Sequence, residues 1–320
     1  EDGMSDIVDD SRIEMEAAKA EMLPDAGMPR RKLPIGLWFG VGWLALLLFH
    51  AVFAPWLPWV RGENQRVDGA GNFAFGPGAD FWFGSDQLGK DVFARCVYGA
   101  RLALTLSTVA ILVGVIVGGT LGMIAGFFKG KTDRAIAVFT DSLLAFPAIV
   151  ISALIIGRFD ALAASDTEFF GFGFSWLTRR WSVCIIFALL SIAPVARIVR
   201  AQTLSLAERE YVLASRSLGA RTPRLLFLEI LPNLVPAMVS VIFTGIAILL
   251  AAEGGLAFIG YSVKPPSASW GLMINESRNR IETAWWATIF PALMLFATVL
   301  AFNLIGEWFS RRFDIREASL

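Results

Sequence analysis

Six long apolar segments dominate this chain and leave little choice of fold. They cover residues 34–60, 101–126, 133–157, 181–200, 234–259 and 285–309. Each is long enough to cross the hydrocarbon core of a bilayer as a helix, in which the backbone satisfies its own hydrogen bonds. The mean hydropathy of +0.61 is a value that soluble domains rarely reach. The segments therefore predict an all-α integral membrane protein with six transmembrane helices.

The distribution of positive charge predicts the orientation of these helices. Arg30, Arg31 and Lys32 directly precede the first apolar segment, and basic residues at that place favour a cytoplasmic N-terminus. Six crossings then place the C-terminus in the cytoplasm as well. We expect a partly disordered cytoplasmic tail at residues 1–32, a membrane domain at 33–315, an external segment at 61–100 and a C-terminal tail at 316–320.

A polar segment at residues 205–232 separates the fourth and fifth apolar segments. Ser205 and Glu208 form a capping box, which predicts that a helix begins there, and Gly219 suits the left-handed conformation that ends a helix. We expect a second helix capped by Thr222, with Pro223 in its first turn. Pro232 and Pro236 should end this second helix. Four arginines lie along the segment: Arg209, Arg216, Arg221 and Arg224.

This helix–glycine–helix hairpin has two interpretations. It is either a solvated loop or a docking surface for a water-soluble partner, since it is too polar to lie in lipid and too compact for a random linker.

Glycine recurs every fourth residue in the second apolar segment, at Gly114, Gly118, Gly122 and Gly126. Residues four apart share one face of a helix, so this face carries almost no side chains. We expect another helix to approach it closely.

Four acidic residues and one proline are candidate pathway or external-gate residues. Asp141 lies inside the third apolar segment, where it is either a structural hydrogen-bond partner or a pathway residue. Pro147 should kink the same helix. Glu253 ends the fifth segment, where we favour a solvated carboxylate over a substrate contact. Asp86 and Asp91 lie in the external segment, and we favour a structural role for them over contact with a binding protein.

Several familiar sites are not predicted. Residues 126–132 (GFFKGKT) resemble a phosphate loop, but Ala125 occupies the position of its first glycine and an apolar helix precedes it. Cys96, Cys184 and His50 are too scattered to suggest a metal site or a disulfide. The formal net charge is zero, so no nucleic-acid partner is indicated.

The hairpin resembles the EAA loop of ABC-importer membrane subunits. The family pattern is Glu-Ala-Ala, three residues, a glycine, and a leucine–proline pair that ends thirteen positions later. Here Leu213 and Ser215 replace the glutamate and the second alanine, and the preceding Glu-Tyr matches the variant found in peptide importers. The resemblance implies that the following residues contact an ATPase subunit: Glu210, Tyr211, Ala214, Ser215, Gly219, Ala220, Leu231 and Pro232.

Four further motifs resemble signatures of the second permease of dipeptide and oligopeptide importers, a family that also includes nickel importers. They are residues 83–92 (FGSDQLGKDV), 141–147 (DSLLAFP), 253–260 (EGGLAFIG) and 265–271 (PPSASWG). The resemblance covers residues 33–315 and implies the six-helix architecture of type I ABC importers, with a cytoplasmic coupling-helix hairpin.

The resemblance also implies the partners of this chain. They are a second homologous permease, two ATP-binding subunits that hold ATP and magnesium, an extracytoplasmic binding protein and a peptide cargo, all at the bacterial cell membrane. The chain itself would bind no cofactor and catalyse no reaction. An importer of nickel or another small solute is the alternative, and a membrane-embedded enzyme or a channel is a more distant one.

Overall fold

The computed structural model describes residues 35–66, 74–164, 168–169, 172–173 and 179–317. The predicted N-terminal tail and the last three residues of the chain lie outside this part. Residues Gly36–Leu320 form one compact unit.

The described part is almost entirely helical. Its α-helices are α1 (Ile35–Phe53), α2 (Val92–Phe128), α3 (Gly130–Leu144), α4 (Ala148–Ala164), α5 (Arg179–Ala207), α6 (Glu210–Ser217), α7 (Thr222–Arg224), α8 (Leu231–Phe258), α9 (Trp270–Ser277) and α10 (Trp286–Glu317). A π-helix (Leu225–Ile230) joins α7 to α8, and 3₁₀ turns lie at Ala54–Trp56 and Arg278–Arg280. Strands β1 (Glu168–Phe169) and β2 (Phe172–Gly173) form a small antiparallel hairpin.

Five of the described helical segments are long and apolar enough to cross a membrane, and the bent pair α3–α4 makes a sixth if it counts as one span. The predicted class, an all-α membrane protein, is therefore confirmed. The second span is longer than expected, because α2 begins at Val92 within the predicted external segment. With 37 residues, α2 is about 55 Å long at the usual helical rise.

Helices α2 and α5 pack at very short range along the glycine stripe. A Cβ atom built on Gly118 would overlap the carbonyl oxygen of Ile192, and one built on Gly126 would lie 2.8 Å from that of Arg200. Only glycine permits such close contact of two helix backbones, and so α2 and α5 form the centre of the bundle.

The third predicted span is two helices instead of one. Helix α3 ends at Leu144, α4 begins at Ala148, and their axes differ by 80°. Pro147 lies in the break, where its ring disfavours helical conformation in Phe146. Its carbonyl accepts the backbone N–H groups of Val150 and Ile151, so it starts the next helix. The segment 133–157 is thus not one continuous helix, and the bend expected at Pro147 is present.

The predicted start of the hairpin is also wrong. Helix α5 continues through Ser205 to Ala207, so the capping box does not begin a helix. Glu208 instead accepts a hydrogen bond from Lys129, 2.8 Å away. The helical path breaks at Arg209, whose φ of −69° and ψ of 145° are extended, and α6 follows it. Packing of α5 on α2 outweighs the local capping signal.

The two prolines do not end the second helix of the hairpin. Pro232 lies in the first turn of α8 and Pro236 lies inside that helix. The preceding turn is widened, since the N–H of Leu231 bonds to the carbonyl of Leu226, five residues back. Such π-turns accommodate irregular backbone without ending the helix. Thr222 belongs to the first turn of α7; the N-cap position is held by Arg221, whose side chain makes no capping bond.

The bundle has two distinct ends. The cap end comprises residues 54–66, 74–91 and 259–285, around the N-terminus of α2. The hairpin end comprises residues 128–130 and 208–224, around the C-terminus of the same helix.

Candidate docking hairpin and translocation groove

Gly219 sets the geometry of the hairpin end. Its φ of +85° lies in the left-handed region, where a side chain is strained. The N–H of Gly219 bonds to the carbonyl of Arg216 at 3.0 Å, and that of Ala220 bonds to the carbonyl of Ser215 at 3.1 Å. These two bonds form a Schellman motif, which closes α6 and reverses the chain. The turn predicted at this glycine is confirmed.

Two side-chain bonds fasten α6 to the segment that follows it. The amide of Asn233 donates to the hydroxyl of Tyr211 at 3.2 Å, and the hydroxyl of Ser215 donates to Glu229 at 3.3 Å. Both bonds link α6 to the continuous helical segment that the π-helix and α8 form. The hairpin is therefore a braced unit rather than a free loop.

A second set of contacts seats α6 on the end of α2. Val212 is buried at 2% exposure, and the guanidinium of Arg216 lies 5.6 Å from the ring centroid of Phe127. This distance suits a cation–π interaction. A displacement of α6 would consequently be transmitted to α2.

The outer face of the hairpin is apolar and basic. Leu218 is 89% exposed at the turn, and Leu213 on α6 is 46% exposed. The four arginines predicted to line this segment are exposed as well. Ala214 is exposed, whereas Ser215 and Ala220 are half-buried. Large exposed apolar side chains with a charged surround are typical of a protein-binding surface.

Asp141 is an ion-pair partner on α3. It lies 2.6 Å from Arg197 of α5, and both side chains are more than half exposed. About two turns nearer the N-terminus of α3, Asp133 pairs with two nitrogens of Arg200. The two pairs fasten the amphipathic α3 to α5 beside a cavity of about 430 Å³.

An apolar groove of about 600 Å³ runs between α4, α5 and α8. Its polar lining consists of hydroxyl groups: Ser152, Ser191, Ser240 and Thr244. The hydroxyl of Ser152 is buried and has no hydrogen-bond partner among the described residues. None of these hydroxyl groups was a predicted site residue, because nothing local in the sequence distinguishes a groove-lining serine from a packed one.

Glu253 is not solvated, and this prediction is wrong. Its side chain is 0% exposed, and one of its oxygens accepts a hydrogen bond from Ser262 at 2.8 Å. The chain turns back after α8 at Gly260 and covers the carboxylate, while Gly271 of α9 packs against Gly254. Burial of this end depends on residues that follow the helix, which the helix sequence does not reveal.

Asp86 organises the cap end. Its carboxylate accepts the backbone N–H groups of Leu88 and Lys90 at 2.8 and 2.9 Å, and a guanidinium N–H of Arg95 at 2.6 Å. Arg95, only 3% exposed, also donates to Glu276 at 3.1 Å. Charged residues so placed are structural, because they join the segment before α2 to α9.

Asp91 caps the N-terminus of α2. It accepts hydrogen bonds from the backbone N–H groups of Phe93 at 2.8 Å and Ala94 at 3.3 Å. Burial raises the pKa of this carboxyl, and the two backbone bonds and the charge of Arg61 oppose that shift. Asp86 and Asp91 thus lie in one folded motif.

Comparison with known proteins agrees with this architecture. Residues 118–315 match the family described as binding-protein-dependent transport system inner membrane component. The glutathione transport system permease protein GsiD of Pectobacterium atrosepticum is 37% identical over 232 residues, which are 72% of this chain and 71% of that protein. The dipeptide transport system permease protein DppC of Alkalihalophilus pseudofirmus is 34% identical over 259 residues, 80% of this chain and 78% of that protein.

A solved structure is similar in fold. The crystal structure of an amino acid ABC transporter with histidines superimposes with a TM-score of 0.51 at 18% identity, covering 69% of this chain and 94% of that chain. The helical architecture, the family match and the relatives agree: the chain belongs to the family of binding-protein-dependent transport inner membrane components, as a permease subunit of an ABC importer.

Proposed function

We propose that this chain forms half of the translocation pathway of an ATP-driven importer of small peptides, including glutathione and dipeptides. The two relatives described above are named for these cargoes, which supports the choice. The 600 Å³ groove supports it too, because its apolar walls and scattered hydroxyl groups suit a peptide better than a free ion.

The hairpin is the proposed coupling element. The observation that supports this role most directly is the Schellman turn at Gly219. It leaves Leu218 89% exposed at the end of a short, braced helix. A stiff protrusion transmits movement, whereas a flexible loop absorbs it. We infer that an ATPase subunit receives this surface and that the Glu-Tyr pair at 210–211 belongs to the contact.

The remaining partners follow from this assignment. A second related permease completes the pathway, two ATPase subunits bind ATP and magnesium, and an extracytoplasmic binding protein delivers the cargo. The hairpin end and both termini then lie in the cytoplasm, and the cap end lies outside. ATP hydrolysis takes place in the partners, and this chain carries no catalytic residue.

Alternating access can use the bent pair α3–α4. The two ion pairs hold α3 to α5 at one end of the groove, and the 80° break at Pro147 allows α4 to line it in a different direction. Closure of the ATPase pair would move the hairpin as a lever. The movement would then pass through α6 to the ends of α2 and α8.

Substitutions at Gly219 test the lever. Gly219→Val should reduce peptide uptake at least tenfold while membrane insertion stays normal, because a β-branched residue is strained at a φ of +85°. Gly219→Asn is the matched control and should retain most of the uptake, since asparagine tolerates this conformation. Normal uptake by the valine variant would refute the coupling role.

Crosslinking tests the docking partner and uptake tests the cargo. The two native cysteines are buried, so Leu218→Cys adds a single exposed thiol to the described residues. It should crosslink to an ATPase subunit recovered with the complex from native membranes. Recovery of the chain without an ATPase would contradict the proposal, and uptake of nickel instead of glutathione or dipeptide would contradict the cargo.

A further inference from the structure

A third cavity, of about 730 Å³, lies on the flank of the bundle between α2 and α5. We call it the α2–α5 groove. It lies nearest the cap end. Its lining includes Tyr98, Arg101, Leu106, Val109, Arg180 and Trp181. No element of the coupling hairpin and no residue of the 600 Å³ groove takes part in it.

The two arginines of the α2–α5 groove lie at the same depth in the membrane. Arg101 is the last charged residue before an uncharged stretch at 102–128, and Arg180 is the last before an uncharged stretch at 181–196. Both side chains therefore lie where the apolar layer begins. Trp181 is 50% exposed at the same level, and tryptophan is enriched at the membrane–water interface.

Both guanidinium groups have free hydrogen-bonding capacity. Arg180 donates to the hydroxyl of Ser267 at 2.7 Å, which uses one of its five N–H groups. Arg101 is exposed and forms no ion pair with any described residue. Glu63 also borders the mouth, where one of its oxygens accepts the N–H of Ala268 at 2.5 Å. With two guanidinium groups against one carboxylate, the mouth keeps an excess of positive charge.

Below this mouth the groove is apolar. Leu102, Leu106 and Val109 follow one face of α2 at helical spacing. Val109 follows Arg101 by eight positions, which places it about 12 Å further toward the middle of the bundle at the usual helical rise. The groove therefore combines a cationic mouth at the interface with an apolar floor at the depth of acyl chains.

We propose that the α2–α5 groove binds an anionic phospholipid. The headgroup phosphate lies between Arg101 and Arg180, and one acyl chain lies along Leu106 and Val109. Guanidinium groups bind phosphate through paired charge-assisted bonds, and basic pockets between transmembrane helices suit such headgroups. The ligand would contact both α2 and α5, on the cap side of the glycine stripe along which these two helices pack. The proposal does not depend on the identity of the cargo.

Lipid retention by the purified complex tests the proposal. Complex extracted in mild detergent is analysed by native mass spectrometry for bound phosphatidylglycerol and phosphatidylethanolamine. The wild type should retain phosphatidylglycerol selectively, and Arg101→Gln should lower its retention about fivefold, as expected for loss of one phosphate-binding cation. Arg280→Gln removes the same charge from an exposed position at the cap end outside the groove, and should leave retention unchanged.

Substitutions at Val109 separate a lipid from other occupants. Val109→Trp fills the apolar floor and should lower retention as Arg101→Gln does. Binding of inorganic phosphate alone would respond to Arg101→Gln and not to Val109→Trp, and this result would overturn the lipid assignment. Unchanged retention in both variants would also overturn it. Val109 is 37% exposed in the wild type. Efficient crosslinking of the Val109→Cys variant to a second permease subunit would overturn the lipid assignment as well.

Discussion

The two ends of α2 are built on opposite principles. At the cap end the polar groups are inside: Arg95 is 3% exposed between two carboxylates, and Trp270 is fully buried with its indole N–H on the carbonyl of Cys96 at 2.9 Å. At the hairpin end the apolar groups are outside, with Leu218 at 89% exposure, and the Lys129–Glu208 pair lies in solvent.

This difference separates stability from function along one helix. A buried, paired network stabilises the chain by itself, because each removed partner leaves an unsatisfied group. An exposed apolar surface adds nothing to the stability of the isolated chain and gains its value when a partner covers it. Substitutions at the cap end should thus change stability, and substitutions at the hairpin end should change transport.

The largest expected effect is at Trp270. Trp270→Ala should lower the free energy of unfolding by about 3–5 kcal/mol, because it empties a fully buried site and leaves the Cys96 carbonyl without its donor. Leu218→Ala should leave stability unchanged and reduce transport. Thermal unfolding in detergent and peptide uptake measure the two effects. The contrast between the ends fails if Leu218→Ala destabilises the chain as strongly.

Arg95 should show the next largest effect. Arg95→Gln removes the cation shared by Asp86 and Glu276, and should cost about 2–3 kcal/mol because both carboxylates keep part of their solvent contact. Lys129→Gln is the matched control at the other end, where the pair is exposed, and should change stability far less. Equal melting temperatures for the two variants would show that burial does not distinguish these pairs.

Local features of the sequence predicted part of this contrast. The turn at Gly219 and the close helix contact along the glycine stripe could be predicted, because a positive φ and a face without side chains are properties of the glycine residues themselves. The capping box at Ser205 and Glu208 failed for the opposite reason. Its signal is local, but α5 continues there because the helix is packed along α2.

Long-range contacts explain the rest of what the sequence did not reveal. Arg95 and Glu276 are 181 positions apart, and no local pattern indicates that they meet. Glu253 is covered by Ser262 and α9 after the chain has turned back, so its burial could not be read from α8. The hydroxyl-lined groove has the same origin, since its walls come from helices distant in sequence.

Asp91 should show a smaller effect that depends on capping. Asp91→Ala should cost about 1 kcal/mol, because it removes the acceptor of the Phe93 and Ala94 N–H groups at the start of α2. Asp91→Asn keeps an acceptor oxygen and should retain most of the stability. Thermal unfolding of both variants tests this. Equal loss in both would mean that the charge, rather than the cap, matters at this position.

The smallest expected effect is a pH dependence of opposite sign at the two ends. Lys129 lowers the pKa of Glu208 below its ordinary 4.5, so their pairing stabilises the chain above that pH and is lost as the pH falls through the lowered pKa. Burial raises the pKa of Asp91 above its ordinary 3.8, so its charge costs stability at neutral pH and protonation on acidification relieves that cost. As the pH is lowered from about 6 to about 3, the melting temperature of the wild type should therefore fall relative to that of Lys129→Gln. Over the same range it should rise relative to that of Asp91→Asn. Difference curves of the same sign would show that the environments of the two carboxyls do not differ as their burial indicates.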